Sequence, residues 1–253
     1  MNVLVIWAGV ADPLRPLPGV LDGATLAQHV QQNAVPSPFD EAALEVALKL
    51  RDRAPQARIA AWCAGGEALA RKLAAFPVEA PVQLRGLAGA WNAAACAASI
   101  AALRAQWQVA PDVVLLGREF GDWDDGAIAA LLAHAWQMPY VSLATAVEAN
   151  GDRMLVTRQR GAVQEQMRVA GPVLCSVTNA PNNKLRHPLL KNVMLAKKLV
   201  LPQIEVAPVS GSVALARVSL REAPPSAIAC EMLTGSVEQQ AQALAQRLTA
   251  MLK

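Results

Sequence analysis

Pro111–Gly126 reads PDVVLLGREFGDWDDG. Val113 to Leu116 is a fully apolar run of strand length, and Gly117 ends it. A strand apolar at every position is buried on both faces, which is the habit of a parallel sheet covered by helices. Gly117 to Gly126 then carries three glycines and three aspartates before an apolar helical pattern from Asp125 to Trp136. A strand–loop–helix turn with free backbone N–H groups is a general anion or phosphate site. The aspartates argue against bare phosphate unless their carboxylates point away or cap the helix. Asp124 or Asp125 suits the cap.

The same grammar extends outward from this stretch. Val3 to Trp7 is a strand candidate, and Phe39 to Arg53 a helix with acidic first-turn residues after Pro38. Arg58 to Cys63 is a second strand, ending at Ala64-Gly65-Gly66, and Glu67 to Phe76 a helix. Val82 to Leu84 is a short strand, Trp91 to Trp107 an alanine-rich helix and Val141 to Leu143 another strand. Apolar strands alternating with helices predict an α/β fold in three layers, α/β/α. Ligands in such folds lie beyond the carboxyl ends of the strands, here Trp7-Ala8, Cys63-Ala64 and Gly117-Arg118. Pro36 to Asp40 offers a second wall there, with a rigid turn, a hydroxyl and an aromatic face. Pro38-Phe39 also fits a plain helix start with Phe39 in the core.

After about residue 144 the pattern turns antiparallel. Ala144 to Glu148, Met154 to Gln159 and Gln164 to Val169 alternate as strands, and Asn150-Gly151-Asp152 marks a hairpin turn. Val173 to Val177 is a further apolar strand. From about Gln203 to Pro225 the chain is rich in Pro, Ser and Val and reads as an extended arm. Ser236 to Leu252 closes it as an amphipathic helix with Ser236 as N-cap and Val237, Ala241, Leu244, Leu248 and Met251 on one face.

Composition excludes several classes. At 253 residues, 54% hydrophobic and 17% charged, the chain is globular. A net charge of +3, one Tyr and three Phe give no basic–aromatic surface for nucleic acid. Cys63, Cys96, Cys175 and Cys230 form no CxxC pair, so no zinc or redox motif is expected, and reduced thiols in a cytoplasmic protein are. The start, MNVLVIWAG, has no basic n-region and reads as a strand, not a signal peptide. The uncharged stretch Gly86 to Leu103 is mostly alanine and reads as a buried helix, so no membrane insertion is expected. His29, His134 and His187 sit in no nucleophile–base motif, and His134 falls on the buried-looking side of its helix. Neither GxGxxG nor GxxxxGK occurs. No catalytic residue and no metal ligand is therefore assigned.

Asn182–Leu199, NNKLRHPLLKNVMLAKKL, stands apart. No Asp or Glu occurs between Glu165 and Glu205, while Arg168, Lys184, Arg186, Lys191, Lys197 and Lys198 do. Leu189 and Leu190 form an apolar tip in this basic segment. Charge would steer an encounter and a buried leucine would hold it, as in a docking element. A solvated basic loop has the same composition.

Together these pieces resemble the beta subunit of electron transfer flavoprotein. Four segments carry the resemblance. They are the first strand with Val10-Ala11-Asp12; SPFDEAALEVALKLRD at Ser37–Asp52, similar to the family's N-P-F-D/E helix start; Pro111–Gly126; and NNKLRHPLLKNVMLAKK at 182–198, similar to the family's N-x-P-R-Y and A-K-K motif. The resemblance implies a mostly parallel, Rossmann-like sheet of adenine-nucleotide-binding type. It implies a heterodimer with an alpha subunit that holds most of an FAD, with electrons taken from a flavin-dependent dehydrogenase. It also implies AMP bound in this chain, at Ile6, Ser37, Pro38, Phe39, Asp40, Cys63, Gly117, Arg118, Phe120, Gly121, Asp122, Trp123, Asp124, Asp125, Gly126 and Ala127. Pro38 and Phe39 would face the flavin, and backbone groups at the Gly126 helix start would hold the phosphate. Arg186, Leu189, Leu190, Met194, Lys197 and Lys198 would form the dehydrogenase recognition loop, with Leu190 as anchor. Residues 1–200 would make the nucleotide-binding domain, including that loop at about 182–198. Residues 201–253 would make an arm and helix packed on the alpha subunit.

This chain departs from the family where a phosphate would sit. Asp125 replaces a threonine and Ala127 a glutamine, and a carboxylate beside a phosphate is unfavourable by charge, which weighs against AMP. The family's lysine and tyrosine near the first strand are Ala8 and Pro13. Two other functions remain open: a bifurcating-type subunit with a second FAD in the AMP pocket, and a stand-alone adenine-nucleotide-binding protein.

Overall fold

The computed structural model describes residues 1–19, 25, 28–29, 32–87, 92–122, 124, 126–207 and 231–251. The chain divides into two compact units, Met1–Val218 and Ser219–Lys253.

In the first unit, strand β1 (Asn2–Trp7) is followed by a small ribbon of β2 (Val10–Ala11) and β3 (Ala34–Val35). Helix α1 (Pro38–Arg53), β4 (Arg58–Cys63), α2 (Glu67–Ala74) and β5 (Val82–Arg85) come next. Then follow α3 (Ala93–Ala102), β6 (Val113–Gly117) and α4 (Ala127–Trp136). The antiparallel part is β7 (Tyr140–Asn150), β8 (Arg153–Arg160) and β9 (Val163–Ala170). Strand β10 (Val173–Val177), the short helix α5 (Leu190–Ala196) and β11 (Gln203–Glu205) complete it.

These strands build a nine-stranded sheet in the order β11-β5-β4-β1-β6-β10-β7-β8-β9. It is parallel from β11 to the start of β7 and antiparallel through β8 and β9. Alternate side chains of β1 enter opposite layers. Val3, Val5 and Trp7 join the core under α1 and α2, while Leu4 and Ile6 join the core under α3 and α4. The expected three-layer α/β/α fold is thus present, with β4, β1 and β6 adjacent and their carboxyl ends side by side.

Several boundaries differ from the expectation. The alanine-rich helix is regular only over Ala93–Ala102, capped by the Asn92 side chain, and then tightens into a 3-10 turn at Leu103–Gln106. Trp107 leaves that turn in extended backbone and meets the Trp136 ring edge-on at 5.1 Å, so packing of the indole ends the helix. Trp91 lies outside the described residues. Val141–Leu143 and Ala144–Glu148 are one strand. β7 pairs parallel with β10 up to Ala144 and antiparallel with β8 from Ala144 onward, with a bulge between Ala144 and Ala146. His134 is exposed near the end of α4, because Ile128, Ala129, Leu132, Ala133 and Trp136 already fill the buried face. Gln203–Glu205, read as the start of an arm, is an edge strand pairing with Gln83–Arg85. The arm from 208 to Pro225, and Cys230, lie outside the described residues.

The second unit contains α6 (Val237–Met251). Its Ser236 Oγ accepts from Gln239 N at 3.4 Å while Gln239 Oε1 accepts from Ser236 N at 2.9 Å, a reciprocal cap. Val237, Leu244, Leu248 and Met251 are all exposed. Among the described residues no helix is long and apolar enough to cross a membrane.

Candidate functional site

The carboxyl ends of β1, β4 and β6 carry the first candidate. Ser37 caps α1: its Oγ accepts from Asp40 N at 3.0 Å, and Asp40 Oδ2 accepts from Ser37 N at 3.0 Å. The same carboxylate accepts from Ala8 N at 3.1 Å and Gly9 N at 3.0 Å, just past β1. Asp40 therefore ties the end of β1 to the start of α1, and it is 1% exposed. Burial pushes its pKa up, while hydrogen bonds from Ser37, Ala8 and Gly9 pull it back.

The loop after β6 repeats this device. Asp124 Oδ1 accepts from Gly126 N at 3.1 Å, Ala127 N at 2.9 Å and Ile128 N at 3.4 Å, and Oδ2 accepts from Phe120 N at 3.2 Å. The carboxylate is 6% exposed and takes up the amides of Gly126, Ala127 and Ile128 at the α4 amino end. Asp124 thus supplies a capping carboxylate from two residues upstream, but the N-cap position expected for Asp124 or Asp125 belongs to Gly126, and the helix starts at Ala127. Gly126 stands at the cap position with φ 106°, a conformation that disfavours any side chain. Asp122 Oδ2 reaches across to accept from Ala11 N at 2.8 Å. Trp123 and Asp125 lie outside the described residues.

Gly117 shows how closely α1 approaches this strand end. A Cβ there would stand 2.9 Å from Phe39 Cβ and 3.0 Å from the Glu119 carbonyl oxygen. Phe39 is half-buried, and the Arg118 guanidinium lies 5.6 Å above its ring centroid. Arg118 also pairs with Glu119 at 3.2 Å, and Pro38 beside it is exposed. The side chains of Ile6, Cys63 and Phe120 are buried in the core. Burial pushes the Cys63 thiol up to about 12, where it is inert at neutral pH. Among the described residues no cluster suits a metal ion. A polar cavity of about 520 Å³ opens one strand farther out, between Gly65-Gly66, Arg85 and Glu205, and none of the sequence-predicted residues lines it.

The second candidate is the segment between β10 and β11. Leu189 and Leu190 are 72% and 77% exposed, and Met194, Leu195, Lys197 and Lys198 are exposed beside them. Its backbone, by contrast, is clamped. Arg186 forks onto Glu45 of α1, with Nη2 donating at 2.8 Å, and reaches Asp52 at 2.7 Å through Nη1. Glu45 is 4% exposed and also accepts from Arg186 N at 3.1 Å. Lys49 donates to the Asn182 carbonyl and to Asn183 Oδ1, and Asn183 Nδ2 donates to the Thr145 carbonyl on β7. At the far end, Arg71 Nη1 donates to the carbonyls of Ala196, Lys197 and Leu199 at 3.0 to 3.1 Å, capping α5.

Arg186, expected at the partner surface, is turned onto α1, where it sets the loop's position. Glu45, Lys49, Arg71 and Asn183 were not among the sequence candidates. Glu45 had a signal: a lone carboxylate flanked by Leu44 and Val46 inside an apolar helix face needs a cation. Arg71 had none, because its three acceptors are backbone carbonyls about 125 positions away.

Two comparisons bear on these sites. The family profile described as electron transfer flavoprotein domain matches residues 25–209. The chain is similar to the electron transfer flavoprotein subunit beta of Syntrophomonas wolfei subsp. wolfei (strain DSM 2245B / Goettingen), at 24% identity over 202 residues, which is 79% of each chain.

Proposed function

This chain belongs to the electron transfer flavoprotein domain family, and on that premise we propose that it is the beta-type subunit of a two-subunit electron carrier. It would pair with an alpha subunit that holds most of an FAD, and receive electrons from a flavin-dependent dehydrogenase docked on Leu189, Leu190 and Met194. Free, buried thiols suit a reducing, cytoplasmic setting.

The observation that carries this reading is the clamped, leucine-tipped segment. Exposed leucines on an ordinary loop lose conformational freedom on binding. Here Arg186, Lys49 and Arg71 have already fixed the backbone that presents them. A small preordered apolar tip in an acid-free, basic surround supports fast, specific and reversible contact with an acidic partner surface. Bound FAD would supply the electron-carrying chemistry. On this chain, exposed Pro38 and the Phe39–Arg118 stack would form its wall, an aromatic face suited to a flat cofactor ring. A resident AMP fits less well, because the amides that would hold its phosphate already bind Asp124. A second FAD, or a stand-alone nucleotide-binding role, would need those same amides.

The test is co-expression with an alpha-type partner. A yellow complex with one FAD per pair, reduced by a dehydrogenase and slowed by Leu190→Ala, is expected. A colourless chain that stays unpaired would overturn the reading.

A further inference from the structure

We infer that Asp124 occupies in this chain the place of a nucleotide phosphate, so that the subunit closes its own adenine-nucleotide pocket and binds no AMP. The inference rests on the family reading above and concerns the same strand ends. A phosphate at a helix amino end is held by the first free N–H groups of the helix. In α4 those groups, on Gly126, Ala127 and Ile128, all point to Asp124 Oδ1, and Phe120 N points to Oδ2. The carboxylate is an internal anion of the right charge sign, attached within four residues of every amide it binds, so it competes at very high effective concentration against any ligand.

The neighbouring strand end is filled in the same way. Asp40 takes the N–H groups of Ala8, Gly9 and Ser37, and Asp122 takes that of Ala11. The three carboxylates engage the loops after β1 and β6 and the start of α1, where an incoming phosphate would meet like charge. Arg118, the cation in the loop after β6, pairs with Glu119 and stacks on Phe39. Space is short as well: the backbone of α1 at Phe39 sits so near Gly117 that a single added carbon would collide.

Nucleotide analysis tests this on the full chain, purified alone and with its alpha partner. After denaturation, released AMP and FAD are quantified by chromatography and mass. No stoichiometric AMP, and a Tm unmoved by millimolar AMP, is the expected result. One AMP per chain would overturn the inference while leaving the carrier reading intact. FAD missing from the paired complex would overturn the carrier reading alone. Asp124→Gly frees the α4 amides and should create a Tm rise of a few degrees with AMP or inorganic phosphate, following ligand linkage. Asp124→Asn keeps the side-chain size and a carbonyl acceptor, and should fold and remain unresponsive. A folded Asp124→Gly chain indifferent to both probes would overturn the inference. Should that variant fail to fold, the wild-type nucleotide content still decides.

Discussion

At the ends of β1 and β6 two carboxylates are buried and backbone amides converge on them, whereas at α5 four apolar side chains stand in solvent and backbone carbonyls converge on an arginine. Both regions use a charged side chain to fix a loop. At the strand ends the charge is Asp40 or Asp124, and fixing the loop takes up the amides of Ala8, Gly9, Phe120, Gly126, Ala127 and Ile128. At the docking segment the charges are Arg71 and Arg186, and fixing the backbone leaves the apolar tips unsatisfied. Which groups remain unpaired after the loop is set decides whether a surface is closed or available.

The largest expected break in this contrast is Asp124→Ala. It strands four backbone donors in a buried setting and should lower stability by about 3 kcal/mol in urea denaturation. A loss below about 0.5 kcal/mol would mean the loop rearranges and the carboxylate is not what closes it. Next comes Glu45→Ala, which leaves Arg186 without its main partner. Because Arg186 is partly exposed, water softens the loss to about 2 kcal/mol. Its distinguishing effect is on docking, since the dehydrogenase KM should rise even in the folded variant.

Leu190→Ala works in the opposite sense. The side chain is 77% exposed, so stability should stay within about 0.5 kcal/mol of wild type. Electron transfer from the dehydrogenase should weaken by roughly tenfold, about 1.4 kcal/mol. Unchanged transfer would reassign the tip to ordinary surface.

The smallest effect concerns the thiols. Burial pushes Cys63, Cys96 and Cys175 up to about 12. A thiol whose pKa is raised by folding gives its full contribution below its unfolded pKa and loses it as pH rises through the folded value. Stability should thus be flat near neutrality and fall from about pH 9 toward about pH 12. Native labelling of Cys63, Cys96 and Cys175 by a thiol reagent should be negligible at neutral pH. Rapid labelling of Cys63, at the end of β4, would show that the strand ends are open after all.

Much of this was legible in the sequence because it is local. Val113–Leu116 reads as a doubly covered strand, Asp40 and Glu41 follow Pro38 as first-turn acids, and the leucine pair follows His187-Pro188 in an acid-free run. Asp124 was recognisable as a cap for the same reason, lying two residues from its first donor. The missing parts were long-range. Nothing near Arg71 announces the carbonyls of Ala196 and Lys197, and Arg186 looks like surface charge until α1 brings Glu45 against it. The union of two short strand signals into β7 also escaped local reading, since the bulge beside Ala144 shifts the alternation midway.

The edge strand β11 has a consequence in time. The meander β7-β8-β9 joins residues fewer than about 20 positions apart, such as Arg153 and Ala170, but β11 must find β5 across about 120 positions, as Gln203 and Gln83 do. Closure entropy grows with that separation, so the meander should assemble early and the edge strand late. Pulsed hydrogen exchange during refolding should find Gln203–Glu205 protected last. The docking segment is strung between β10 and β11, so its far anchorage waits for that final step. A half-made chain would then offer its leucines on an unfixed loop, and only a finished one would present them to a partner in working form.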